Sequence, residues 1–199
     1  MREFIYFSSS ASTSGNFHDL MKAGRMDIVC HVLINSFFIS HQIRDDVKLH
    51  LVFYGAPDPP KHLELFPGDR NLGDIKDKLD ISKKDVAGLI KKMLFKYRPG
   101  RKNMVWNGYY VEKKNLFELI KEMKKEGKTI YILDDRGEDL RNMEISDKAV
   151  FLLGDHKGLP AKELKRLKKE SKLISLGKKT LFASQVITIL NNELDRREN

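Results

Sequence analysis

Apolar and polar positions change period several times along this chain, and the changes mark out its elements. Arg2–Phe7 alternates weakly and predicts a first strand. The small polar stretch Ser8–Asn16 has nothing to bury and reads as a mobile loop. Asp27 then opens a helix expected to run to about Ile43. Its apolar positions Ile28, Val29, Val32, Leu33, Phe37, Ile39 and Ile43 cover more than one face, which predicts a largely buried helix. Val47–Tyr54 alternates as a second strand and ends at the proline-rich Gly55–Pro60, which cannot continue a ladder. Lys61–Asp80 is undecided, with a short strand over His62–Phe66. Ser82 and Asp85 form a capping box ahead of Val86, Leu89, Ile90, Met93, Leu94 and Tyr97, an amphipathic helix ended by Arg98-Pro99-Gly100. Met104–Val111 predicts a strand, Asn115–Glu126 a second amphipathic helix stopped by Gly127, and Pro160 the start of a basic helix reaching Lys172.

Three C-terminal segments stand apart from the rest: Thr129–Asp139, Val150–Pro160 and Lys172–Leu190. Each opens with a buried-strand run and breaks at glycine or a charged turn. The third continues into a helix through Leu181, Phe182, Ala183, Val186, Ile187, Ile189, Leu190 and Leu194. Such a pattern predicts an α/β fold, a parallel sheet with helices on both faces and a ligand crevice at one edge. No repeat or second linker appears, so residues 1–199 read as a single domain with an inserted basic segment at about 61–112. Gly154 serves either a tight turn or close backbone approach to a ligand. Leu176-Gly177 just before a helix offers free N–H groups and an apolar wall, which suits an adenine and a carboxylate.

Charge adds a partner. Lys and Arg outnumber Asp and Glu by 37 to 28, a net charge of +9, which favours polyanions such as nucleic acid or anionic membrane surfaces, with a basic, solvated surface as the alternative. Lysines and arginines crowd the helix after Ser82 and its exit, from Lys83 to Lys102, with Tyr97 and Trp106 nearby. Cys30 is the single cysteine and sits in an apolar run, so an intramolecular disulfide and a structural thiolate zinc site are excluded and a buried, inert thiol is expected. No metal-ligand spacing, P-loop or nucleophilic-serine motif is present, so no metal is expected. The longest apolar stretch, Met26–Phe38, falls short of the ~20 residues of a membrane span. A soluble, cytoplasmic protein is expected.

Ser175–Leu190 (SLGKKTLFASQVITIL) resembles the last knot loop and closing helix of the SPOUT-class RNA methyltransferases. Gly24-Arg25-Met26-Asp27, Phe37–Val47, Tyr54–Pro60 and Tyr131–Leu140 are similar to the archaeal tRNA (pseudouridine N1)-methyltransferases within that class. The resemblance spans nearly the whole chain and is weakest over Lys61–Lys102. It implies a C-terminal trefoil knot, a homodimer, and methyl transfer from S-adenosylmethionine to N1 of a pseudouridine in the T-loop of tRNA. The cofactor would lie against Leu133, Gly154, Leu176, Gly177, Lys178, Lys179, Thr180, Leu181 and Val186. Arg44 and Asp46 would position the base and take its proton, with Asp45 the alternative carboxylate and a surface ion pair the structural alternative. Family members typically carry Cys where this chain has Val186. A pseudouridine methyltransferase of ribosomal RNA and a non-catalytic RNA-binding knotted dimer are the competing readings.

Overall fold

A computed structural model of the protein describes residues 1–40, 42–69 and 82–198. At its centre lies β1 (Arg2–Ser8), buried along its whole length, as a strand must be when both faces of its sheet are covered. On one side β1 pairs in parallel with β4 (Val47–Phe53), and on the other with β9 (Ala149–Leu153). Beyond β9 come β8 (Thr129–Asp139) and β10 (Lys172–Ser175), also parallel. These are the strands the apolar runs predicted.

Past β4 the sheet turns antiparallel, which the sequence pattern did not reveal. β5 (Lys61–Leu65), β7 (Tyr109–Glu112) and β6 (Asn103–Trp106) complete the order β10-β8-β9-β1-β4-β5-β7-β6. The expected single strand Met104–Val111 is thus a hairpin. Asn107-Gly108 turns the chain between the two strands, with Gly108 at φ 78° where a side chain would be strained.

One face is covered by α1 (Met26–Phe37), α2 (Lys83–Phe95) and α5 (Ala183–Arg197), packed on Phe4, Tyr6, Leu49 and Phe151. The other is covered over its parallel half by α3 (Leu116–Lys125) and by Leu167 of α4 (Ala161–Lys169), packed on Ile5, Phe7, Ile130 and Leu152. Capping boxes start α2 at Ser82 and α3 at Asn115. α1 stops at Phe37, short of the expected Ile43. Phe38 is extended, and a two-stranded pair, β2 (Phe38–Ile39) with β3 (Gln42–Ile43), is closed by Arg44 N–H donating to the Phe37 carbonyl at 2.7 Å. α4 ends at Lys169, because Lys172 already belongs to β10. Much of the undecided stretch after Leu65 lies outside the described residues.

Near the C-terminus the chain crosses itself closely. β10 pairs with Tyr131 and Ile132, then shifts register to Glu138 and Asp139, so residues 133–137 have no partner on β10 in this ladder. A Cβ on Gly137 would fall 2.5 Å from the Ile174 backbone, an approach only glycine permits. No helix among the described residues is long and apolar enough to cross a membrane. Cys30 is buried, which pushes its thiol up to about 12 and leaves it unreactive.

Candidate functional site

Parallel pairing sets Thr129 beside Ala149 and Tyr131 beside Lys172, so β8, β9 and β10 release their chains at one edge. Two adjoining cavities open there, of about 370 and 260 Å³. The first is lined by Leu133, Asp134, Asp135 and Ile174–Leu181, the second by Leu152–Asp155, Gly158, Leu159, Leu164, Lys168 and Ala183. Leu133, Asp134, Leu181 and Val186 face both. Leu133, Leu176, Gly177, Lys178, Lys179, Thr180, Leu181 and Val186 line the first cavity and Gly154 the second, so one crevice gathers every residue expected to hold a cofactor.

The lining is an apolar wall with a few fixed polar groups, the usual make-up of a small-molecule site. Gly177 adopts φ 109° and donates its N–H to Ser175 Oγ at 3.1 Å, which holds the turn open before α5. Asp134 pairs with Lys168 on α4 and accepts the Arg136 N–H at 3.0 Å. The Lys168 contact holds its carboxyl below the ordinary range against the opposing effect of burial, so a negative charge stands between the cavities. An adenosine-type ligand with a cationic centre fits this donor set: aliphatic side chains for the ring, a carboxylate for hydroxyls or positive charge. At Gly154 a Cβ would meet Gly158 of its own loop at 2.9 Å, so glycine serves a tight turn there while it also lines the second cavity. Asp155 locks that loop, accepting from Lys157 N–H at 2.9 Å and, through its carbonyl, from Gly158 N–H at 2.8 Å.

Asp155 also reaches across to β1, accepting from the Ser9 N–H at 2.7 Å and Ser9 Oγ at 2.8 Å. Ser8–Asn16 is therefore no mobile loop. Ala11 and Thr13 are buried, Thr13 Oγ1 donates to the Gly55 carbonyl at 2.9 Å, and Ser12 N–H donates to Ala23 O at 3.1 Å. Serine and threonine bond the backbone here in place of burying apolar surface, a role that composition conceals. The segment ends at Arg25, the one described non-glycine residue at positive φ (63°), which grips Asp27 through Nε and Nη2, each at 3.0 Å. This strained pair opens α1 at the crevice edge of the sheet, because α1 runs back from the end of β1. Sequence reasoning names no site residue here, although Gly24–Asp27 carries part of the family resemblance. Burial, together with the charges of Asp155 and Asp27, raises the pKa of Tyr6 beside it.

Arg44 and Asp46 lie elsewhere. Asp46 precedes β4 and pairs with Arg2 at 3.1 Å, at the edge of the sheet opposite the crevice. Arg44 holds Asp195 at the far end of α5, and Arg2 joins the same network through Asp195 at 2.5 Å and Glu198 at 2.8 Å. A single chain does not bring these two residues to the crevice.

Pairing of β4 with β5 also assembles a trio that linear spacing could not show. His50, His62 and Glu64 offer ligand atoms within 4.8 Å of one another. His50 Nδ1 lies 2.9 Å from His62 Nε2, and His62 Nδ1 lies 3.0 Å from Glu112. Lys128 on Glu3, Lys102 and Lys48 on Glu64 and Lys114 on Glu112 already match the carboxylate charges, so the cluster is an ion-pair network within the fold.

Residues 1–199 match the family described as SAM-dependent RNA methyltransferase. The chain is 36% identical to the tRNA (pseudouridine(54)-N(1))-methyltransferase of Methanococcoides burtonii, over 98% of this chain and 96% of that protein. Identity to the enzyme of the same name from Methanocaldococcus jannaschii is 35%, over 99% and 98%. Among solved structures, Archaeoglobus fulgidus Nep1 bound to S-adenosylhomocysteine superposes with a TM-score of 0.63 over 98% of each chain at 15% identity, a likeness of fold.

Proposed function

This chain belongs to the SAM-dependent RNA methyltransferase family, and on that premise we propose that it methylates N1 of pseudouridine 54 in tRNA. The observation that carries the reading is the crevice, where three loops far apart in sequence converge at one sheet edge. Bound there, S-adenosylmethionine supplies an electrophilic methyl group. Leu133, Leu176, Leu181 and Val186 form the apolar surface for its adenine, and ionised Asp134 favours its positive charge. Val186 replaces the thiol typical of the family with a branched hydrocarbon, which keeps the wall and removes a polarisable contact.

Pseudouridine retains N1–H because its ribose is attached through carbon, and that proton must leave as the nitrogen is methylated. A carboxylate within hydrogen-bond reach is suited to take it. Asp27, held by Arg25 at the start of α1, lines neither cavity but lies at the same edge of the sheet, and is the candidate within one chain. Arg44 and Asp46 could serve only where a second copy lays its opposite sheet edge over this crevice. A homodimer packed through α5 is part of the proposal, supported by Phe182 and Ile189, which are 64% and 40% exposed. So is a trefoil knot, with β10 threaded through the 133–137 loop, and action in the cytoplasm. Titration calorimetry with S-adenosylhomocysteine tests the cofactor half. Heat of binding is expected, and none at millimolar ligand would remove the enzyme reading.

A further inference from the structure

Next to the crevice a third cavity, of about 370 Å³, shares none of the crevice's lining residues. Ser10, Ser12, Asn16, His18, Lys22 and Ala56 are among its walls, on the chain that leaves β1 and β4 at the crevice edge. The two sites share a partition, since Ser9, beside Ser10, is bonded to Asp155 of the crevice. Its walls are rigid. A Cβ on Gly24 would lie 1.6 Å from the Ser10 carbonyl oxygen and one on Gly55 2.2 Å from it, so three backbone segments are packed against one another. Asp58 N–H donates to Thr13 Oγ1 at 2.9 Å and fixes the far side.

The outer rim has a different character. Phe95, at the end of α2, is 58% exposed, and its ring lies so close to Gly15 that a Cβ there would stand 2.8 Å away. An aromatic ring left in water beside a pocket is a stacking surface that the core does not use. Lys91 Nζ sits 4.8 Å over the neighbouring Phe17 ring, and Lys92, Lys96 and Arg98 are exposed along the same helix and its exit. Positive charge around an exposed ring matches a phosphate backbone with an unstacked base, not a neutral metabolite. Asn16 offers both an amide donor and an acceptor, the complement of a base's imide edge. An enzyme that acts on a ring nitrogen must also draw its nucleotide out of the RNA stack.

We propose that this pocket seats an extruded loop nucleotide of the substrate RNA, with Asn16 reading the base edge and Phe95 stacking the base that follows. The inference rests on the RNA methyltransferase reading and adds the surface that presents the RNA. Phe95 and Asn16 are positioning residues.

Binding of a pseudouridine-containing tRNA, with S-adenosylhomocysteine affinity and single-turnover rate at saturating RNA, tests it in Phe95→Leu, Phe95→Trp and Asn16→Ala. Both positions are exposed, so melting temperatures should match wild type. Loss of one stacked base corresponds to roughly a ten-fold weaker RNA Kd. That loss is expected for Phe95→Leu, with Phe95→Trp keeping wild-type affinity, and Asn16→Ala, which removes a base-edge hydrogen bond of about 1 kcal/mol, should weaken binding about five-fold. Cofactor affinity and saturated rate should not move. Unchanged RNA affinity in Phe95→Leu and Asn16→Ala, in a protein that still methylates, would overturn the pocket assignment alone. Failure of the wild type to bind or methylate the RNA would overturn the underlying reading as well.

Discussion

Arg44 grips both carboxylate oxygens of Asp195, at 2.9 and 2.6 Å, and so fastens the turn before β4 to the last helix. The pair is largely buried on the Arg44 side, and Arg2 shares Asp195, so the contact belongs to a network that ties the two ends of the chain together. Arg44→Ala should therefore lower stability by about 1–3 kcal/mol in denaturant unfolding, the scale of a charge-assisted hydrogen bond.

The proton acceptor is decided by two substitutions measured side by side. Asp27→Asn should reduce methyl transfer by ~10²–10⁴-fold with cofactor affinity nearly unchanged, as expected on removal of a general base. Asp46→Asn should leave single-turnover rates near wild type and act on stability through Arg2. The opposite ranking would assign the base to Asp46 across a dimer interface, and near-normal rates in both would leave proton removal to solvent.

Val186 faces both cavities and is 8% exposed. Val186→Phe should fill the space they share and weaken S-adenosylhomocysteine binding at least ten-fold (about 1.4 kcal/mol) while circular dichroism stays native. This is a cleaner probe than a change at Gly154, where a side chain would first disturb its own turn. Wild-type affinity in Val186→Phe would place the cofactor elsewhere.

Asp134 gives a prediction in pH. Lys168 holds its carboxyl below the ordinary range, so the group stays ionised as pH falls through 5. Cofactor affinity should thus be flat from pH 8 to 5 as far as this residue acts, and Asp134→Asn should lower it across the whole range. A midpoint near pH 4–5 in wild type that vanishes in Asp134→Asn would show that the Lys168 contact is not made in solution.

Stability against pH reports the histidine network. Burial holds His62 down to about 4 from 6.5, against the raising influence of Glu112. As pH falls, the unfolded chain takes up this proton first, so stability is whole above about 6.5 and declines towards 4. The full loss is roughly 3 kcal/mol. Glu3 and Glu112 act in a lower window. Burial opposes their charge, yet bonds from His50 and Lys128 to Glu3, and from His62 and Lys114 to Glu112, hold each to about 2. Their contribution is present above about 4.5 and lost as pH falls towards 2. His62→Gln should flatten the 6.5-to-4 slope in denaturant titrations. An unchanged slope would refute a neutral, buried His62.

Much of the crevice was legible in sequence, because its strands are buried on both faces and their apolar runs break at loop residues such as Leu133-Asp134, Gly154 and Leu176-Gly177. What stayed hidden depends on contacts between distant segments. Ser8–Asn16 looked mobile since its partners Gly55, Ala23 and Asp155 are remote in sequence. The His50–His62 contact exists only through the β4–β5 register. The α1 helix ended early because Phe38 favours an extended backbone, while continued apolar character suggested more helix. The β6–β7 hairpin is legible in Asn107-Gly108, a turn pair between two apolar runs. Arg44 and Asp46 were drawn from resemblance along the chain, which says nothing about which edge of the sheet a residue occupies.

Methylated nucleosides in RNA treated with the purified protein and S-adenosylmethionine test the central claim most directly. Digestion and mass spectrometry should find N1-methylpseudouridine in tRNA carrying pseudouridine 54, and none in the same tRNA carrying uridine there. Methylation of the uridine transcript, of ribosomal RNA alone, or of no RNA by protein that binds S-adenosylhomocysteine would contradict the account.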